Sequence, residues 1–195
     1  NSGHSLAIGR ATSYFSEASY VGDIISGVSY LWFIEELAKE FDSKVSEVID
    51  KLKETAKLIF NKNNLVIGYT ANEDGYERLA KPLADFVEKL DATEVSPCKR
   101  NLKITKKNEG LKTSAQIQYV ARTGNFKKEG YEYTGVFRTL ENIMDYGYLW
   151  ENIRVKGGAY GCMSSFSRTG ESYFVSYRDP NLAQTMHAEH RSSYP

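Results

Sequence analysis

The chain has 195 residues, 41 % of them hydrophobic and 26 % charged, a composition that suits a soluble globular protein able to bury a core. Its 25 lysines and arginines are balanced by 25 aspartates and glutamates, which argues against a nucleic-acid partner, since such a surface needs clustered basic excess. The start carries no signal-peptide pattern and no apolar run is long enough to span a bilayer, so no membrane partner is expected and the location reads as soluble, cytoplasmic or organellar. Cys98 and Cys162 are far apart and form no C-x-x-C pair, too few for a disulfide framework or a four-ligand zinc knot, and read as reduced thiols.

Residues 1–20 are rich in serine, glycine and other small residues and read as irregular. Apolar residues at helical spacing predict one helix over residues 24–41 and a second over 44–60, with Ser43 as its N-cap and Glu47–Lys51 as an i,i+4 pair. Residues 65–70 read as a short buried strand. A helix follows with Leu79, Leu83, Phe86, Val87 and Leu90 on one face, and Pro82 inside it predicts a kink or a late start. The stretch 91–101, with Pro97, reads as a linker. Strands are expected over 102–106 and 114–122, a loop over 124–130, and a helix over 134–145. Gly147 should interrupt before a short helix over 148–154, which Gly157 and Gly158 end. A hairpin over 159–168 and 172–177 turns at Thr169-Gly170, and Pro180-Asn181 opens a last helix. The fold class is α+β, an antiparallel-rich sheet with helices packed on one face.

Three motifs occur in order. Gln118-Tyr119-Val120-Ala121 precedes the stretch from Tyr148 to Gly161, which contains Arg154-Val155-Lys156-Gly157-Gly158-Ala159-Tyr160, and Ser176-Tyr177-Arg178-Asp179-Pro180-Asn181 follows. Together they resemble the pitrilysin/insulinase superfamily of zinc metallopeptidases, most closely its presequence-protease branch, with the specific part running from about residue 116 to 185. Residues 187–195 match nothing expected there. The resemblance implies partial repeats of the pitrilysin/mitochondrial-processing-peptidase-like metallohydrolase fold. Residues 1–92 would end one α+β repeat, residues 93–112 would be a linker, and residues 113–195 would open the next repeat, truncated. A repeat cut in this way should leave an unpaired strand edge and exposed apolar surface.

A peptidase must stabilise the charge developing on the scissile carbonyl and hold an extended backbone in register. An arginine guanidinium and a tyrosine hydroxyl are suitable donors for peptide carbonyls. The resemblance assigns Arg154 and Tyr160 to substrate binding and transition-state stabilisation, with Gly157 and Gly158 as the supporting loop. Read without it, an arginine at a helix C-terminus is already favoured by the helix dipole, and a strand tyrosine is commonly half-buried core. Arg178 and Asp179 read as an internal ion pair tying the strand end to Asn181, a capping candidate.

No residue of the chain is expected to be catalytic. A zinc site of this superfamily needs H-x-x-E-H on a helix, and the only histidines are His4, His187 and His190. His187-Ala188-Glu189-His190 has the wrong spacing, so no metal ligand and no cofactor is assigned to this chain. The glycine-rich stretch 156–161 lacks G-x-x-x-x-G-K-[ST] and follows a helix rather than opening one, which excludes a phosphate loop. By resemblance, zinc belongs to the parent protein, a zinc endopeptidase that degrades short unstructured peptides. The partners are then the peptide substrate and the N-terminal catalytic half of the same polypeptide, and the chain alone should be inactive. The alternative is a non-catalytic scaffold or core-subunit relative of the same fold.

Overall fold

The structure is a computed structural model and describes residues 2–191. The described residues form two compact units, one running up to Ile34 and resuming at Leu102, the other Glu35–Asn101. No helix among them is long and apolar enough to cross a membrane.

In the first unit, α1 (Gly3–Thr12) and α2 (Glu17–Ser26) occupy the stretch whose composition suggests irregular chain. Weak intrinsic propensity is overridden here by tertiary contacts. α1 packs on the sheet, and Gly3 lies so close to the Tyr119 ring that a Cβ there would collide with it. Ser16 caps α2 by accepting the Ser19 N–H. Gly27 then breaks the expected helix, because the Asp23 side chain occupies the space a Cβ would need and accepts the Val28 N–H at 3.0 Å.

α3 (Val28–Ile59) is one helix where two were expected. Residues 41–43 hold neither proline nor glycine, and Ser43 bonds back to the Glu40 carbonyl at 2.8 Å instead of capping a new helix. The pairs Glu40–Lys44 and Glu47–Lys51 support its wet face.

In the second unit, Asn61 is 2 % exposed. Its side chain accepts the Asn63 N–H and donates to the Thr93 carbonyl, fixing the chain after α3 to the chain beyond the next helix. α4 (Glu73–Glu88) is capped by Asn72 and contains Pro82 within its span, so the start is early rather than late. The expected strand at residues 65–70 does not form, since nothing in the unit offers it a ladder.

Back in the first unit, β1 (Ala121–Asn125), β2 (Gly161–Phe166) and β3 (Glu171–Tyr177) make an antiparallel sheet ordered β1-β3-β2. Residues 102–106 form no strand, and regular pairing starts at Ala121 rather than at residue 114, after one isolated bridge between Gln118 and Asp179. The β2–β3 hairpin turns where expected, with Gly170 at φ 94°, a left-handed conformation that glycine adopts without strain. α5 (Val136–Ile143) runs straight into π-helical turns over Met144–Tyr148 and Trp150–Val155, so Gly147 does not interrupt it. Leu149 and Ile153, essentially fully buried, pack with Met144, Ala159, Cys162, Phe174 and Ala188 of α6 (Ala183–Arg191).

Part of the outer edge of β2 is covered: the Ser164 N–H donates to Asp145 at 2.6 Å and the Phe166 N–H to Glu141 at 2.8 Å, so the expected unpaired edge is narrowed at these two residues. Exposed apolar side chains are plentiful: Leu31 and Phe33 in the first unit, and Leu52, Ile59, Phe60 and Val66 in the second.

Arg10 of α1 ties the helical part of the first unit together. It bonds Asp23 at 2.6 Å, Ser29 at 2.9 Å and Glu109 at 2.7 and 3.0 Å, and its guanidinium lies over the Tyr14 and Trp32 rings. The Arg10 bonds hold the Glu109 carboxyl down at about 2, against burial, which works the other way. A depressed carboxyl contributes stability above its ordinary value of 4.5 and loses it as pH falls toward 2. Arg10→Met should cost about 3 kcal/mol, because the Asp23 side chain, 3 % exposed, is left as a buried charge without its cation. Urea unfolding measures this loss, and the acid limb between pH 4.5 and 2 should flatten in the same variant; a variant as stable as the parent contradicts the assignment.

Candidate functional site: an arginine and a tyrosine joined by a glycine turn

The π-helical turns set the site. Leu149 and Ile153 point into the core, while Trp150 and Arg154, also four apart, share the outer face. π-Helical turns are uncommon and occur often at functional sites. The Arg154 guanidinium carbon lies 4.6 Å from the Trp150 ring centre and 5.7 Å from that of Tyr160. Its Nη1 donates to the Tyr160 carbonyl.

The chain between the two residues is closed by backbone bonds. The Gly158 N–H donates to the Arg154 carbonyl at 2.9 Å and the Ala159 N–H to Ile153 at 3.1 Å. Gly158 sits at φ 78°, the left-handed position that ends helices. A Cβ at Gly157 would run into the Ile153 carbonyl. The Tyr160 N–H donates to the Tyr177 carbonyl at 3.0 Å, extending the β2–β3 pairing by one residue. The Tyr160 ring is 69 % exposed and stands edge-on to Tyr177 at 6.0 Å. The structure therefore brings the Arg154 and Tyr160 side chains together at one surface, with the buried Gly157 and the exposed Gly158 in the turn between them. Five guanidinium N–H groups and one phenol are offered there, of which the turn itself uses only Nη1.

Arg178 and Asp179 form no ion pair, correcting that expectation. Arg178 has φ 49°, left-handed for a non-glycine residue, and its guanidinium lies over Tyr177. Asp179 points the opposite way, into the fold. It is fully buried, accepts the Asn181 N–H at 2.8 Å and the Thr185 hydroxyl at 2.6 Å, and pairs its backbone with Gln118. Sequence reasoning missed Glu189, on a stretch taken to match nothing. It is fully buried, and burial first, then the charge of Asp179, push its carboxyl up to about 9, with Arg122 acting in the other direction. A carboxylate at a helical position facing Thr185 and Ala188 is the only signal the sequence held for this.

The buried Cys162 thiol is pushed up to about 11, first by burial and then by the charge of Asp145, so it is no thiolate nucleophile at neutral pH. Among the described residues no three histidine, cysteine, aspartate or glutamate side chains are grouped to hold a metal ion. Zinc does not fit the described residues of this chain.

Residues 108–193 match the PreP C-terminal domain, past His187, where the resemblance was expected to stop; residues 192–195 lie outside the described structure. The chain is a presequence-protease-like relative of the pitrilysin/insulinase peptidases, corresponding to their C-terminal region. It is 41 % identical to Protein HypA of Clostridium perfringens over 96 % of its length. It is 31 % identical to the mitochondrial presequence protease of Yarrowia lipolytica and 29 % identical to the chloroplastic/mitochondrial presequence protease 1 of Arabidopsis thaliana, each over 95 % of its length. The chain spans 19 %, 19 % and 17 % of those relatives respectively, under a fifth in each case.

Glu189 gives this region a pH signature. The fold holds a proton that the unfolded chain releases near the ordinary value of 4.5. A raised carboxyl stabilises fully below that value, and the contribution is lost as pH rises toward 9. Glu189→Gln is neutral throughout, so its stability relative to the parent should improve steadily across that window in urea unfolding at stepped pH. A difference that stays constant with pH would show that Glu189 is ionised in the fold.

Proposed function

We propose that the chain forms the substrate-facing C-terminal part of a zinc-dependent endopeptidase that degrades short unstructured peptides. In this reading Arg154 and Tyr160 donate to the substrate backbone, and the zinc is held by an N-terminal half of the same polypeptide. The observation that carries it is the convergence of an exposed tyrosine and a ring-stacked arginine on one turn. The relatives' names as presequence proteases suggest the reaction class. The exposed apolar side chains along and after α3 offer the remaining polypeptide a surface to cover.

Chemically, the arginine is aimed before substrate arrives. Its plane is held by Trp150 and its Nη1 by the Tyr160 carbonyl, so its remaining N–H groups meet a peptide carbonyl without first being ordered. The Tyr160 hydroxyl adds a second donor from the start of β2.

In the full-length protein, Arg154→Ala and Tyr160→Phe should each lower peptide turnover by about a hundredfold, the usual loss for one oxyanion-type donor, while zinc content is unchanged. Tyr160→Phe removes only a hydroxyl, so its melting temperature should stay close to the parent's. Arg154→Ala also removes a charge at a helix end, worth roughly 0.5 kcal/mol. The reverse pattern, lowered melting temperature with normal activity per folded molecule, would make both residues structural and favour the scaffold reading.

A further inference from the structure

Resting on that reading of Arg154 and Tyr160, we propose that Asn181 is the positioning residue for both. Its side-chain amide donates to the carbonyl of Gly157, the residue midway along the turn that joins them.

The backbone of the turn is otherwise held at its helix end and at the sheet. Backbone bonds from Gly158 and Ala159 close it onto the helix end, and the bond from Tyr160 to Tyr177 fastens it to the sheet. Gly157 lies between these anchors and is buried, so its carbonyl needs a donor from within the fold. Asn181 supplies it from 24 positions further along the chain. Without that bond the two glycines are the freest pivots in the segment. The Tyr160 carbonyl that accepts from Arg154 is three residues away, so both donors would shift together.

Asn181 is itself rigidly presented. Its N–H is held by Asp179, whose other oxygen accepts from Thr185 and whose backbone pairs with Gln118 in both directions. The left-handed Arg178 turns the chain into this corner. Pro180 lies beside Gly158, at 3.7 Å from where a Cβ would stand. The side chain therefore transmits the position of the β3–α6 corner to the turn. Asn181 acts through the turn, not on the substrate.

The test uses the full-length protein and a short unstructured fluorogenic peptide that it cleaves. Asn181→Ala removes the amide, and Asn181→Leu removes it while keeping most of the volume; both keep the backbone bond to Asp179. Each should lower kcat about tenfold or more per folded molecule, the scale of a small misplacement of reacting groups. Asn181→Gln, which retains an amide, should recover part of the loss. In a background already carrying Arg154→Ala and Tyr160→Phe, Asn181→Ala should cost no further activity, because its effect runs through those residues. An equal loss in that background, or full activity of both Asn181→Ala and Asn181→Leu in the parent, overturns the proposal while leaving the roles of Arg154 and Tyr160 standing. If Arg154→Ala and Tyr160→Phe themselves leave turnover unchanged, the functional reading fails first and this inference with it.

Discussion

One fully buried carboxylate organises the end of the sheet. Asp179 has no cation beside it in the ion pairs of the described residues, yet it is matched by the Asn181 N–H, the Thr185 hydroxyl and a reciprocal backbone pair with Gln118. Neutral donors, here one on each carboxylate oxygen, can hold a buried charge, and they fix geometry more tightly than a flexible lysine would. Through these bonds Asp179 joins three segments: the chain leading to β1, the end of β3 and the first turn of α6. Its charge has a cost nearby. Burial first, and the charge of Asp179 second, raise the Glu189 carboxyl, so that it keeps its proton at this corner.

The same corner explains how a glycine-rich turn can present two side chains accurately. Glycine gives the backbone its left-handed step but leaves it loose. Here the looseness is removed from outside the turn, by Asn181 on the Gly157 carbonyl and by Tyr177 accepting from Tyr160. The arginine is then constrained by its neighbours' faces. A planar guanidinium near two rings gains cation–π stabilisation and loses rotamer freedom before any ligand binds, so the entropy of ordering it is already spent in folding.

The legible parts of the sequence are those whose signals are local. The hairpin at Gly170, the glycine turn after residue 155 and the start of α6 near Pro180-Asn181 all rest on residues with fixed backbone preferences. The misses have a common physical origin in what neighbours do. α1 and α2 form from small, polar residues because Arg10, Asp23 and Tyr119 give them partners that composition does not disclose. Residues 65–70 have a strand's composition but no strand beside them. The π-helical turns were invisible because Leu149 and Ile153 keep a helical apolar spacing whichever carbonyl each N–H selects. The arginine and tyrosine of the site were legible only through motif resemblance, since an arginine near a helix end and a tyrosine near a strand start are common in any α+β domain.

The partly covered edge of β2 bears on how a peptide would be held. An edge strand usually offers its amides to an incoming extended chain, the commonest mode of peptide capture by a sheet. Here the outward amides of Ser164 and Phe166 are already taken by Asp145 and Glu141. Burial works against the charge on Glu141, but bonds from Arg138 and the Phe166 N–H outweigh it and keep the carboxyl below its ordinary range, so the acceptor stays charged. A peptide beside β2 therefore gains no backbone ladder over those residues. In the function proposed for this chain, recognition at this end of the sheet passes through side chains, and the donors it uses are the guanidinium of Arg154 and the hydroxyl of Tyr160. Under that proposal, a surface reading main-chain carbonyls through side-chain donors would be indifferent to sequence and would admit a substrate only where its backbone is exposed, as it is in an unfolded peptide.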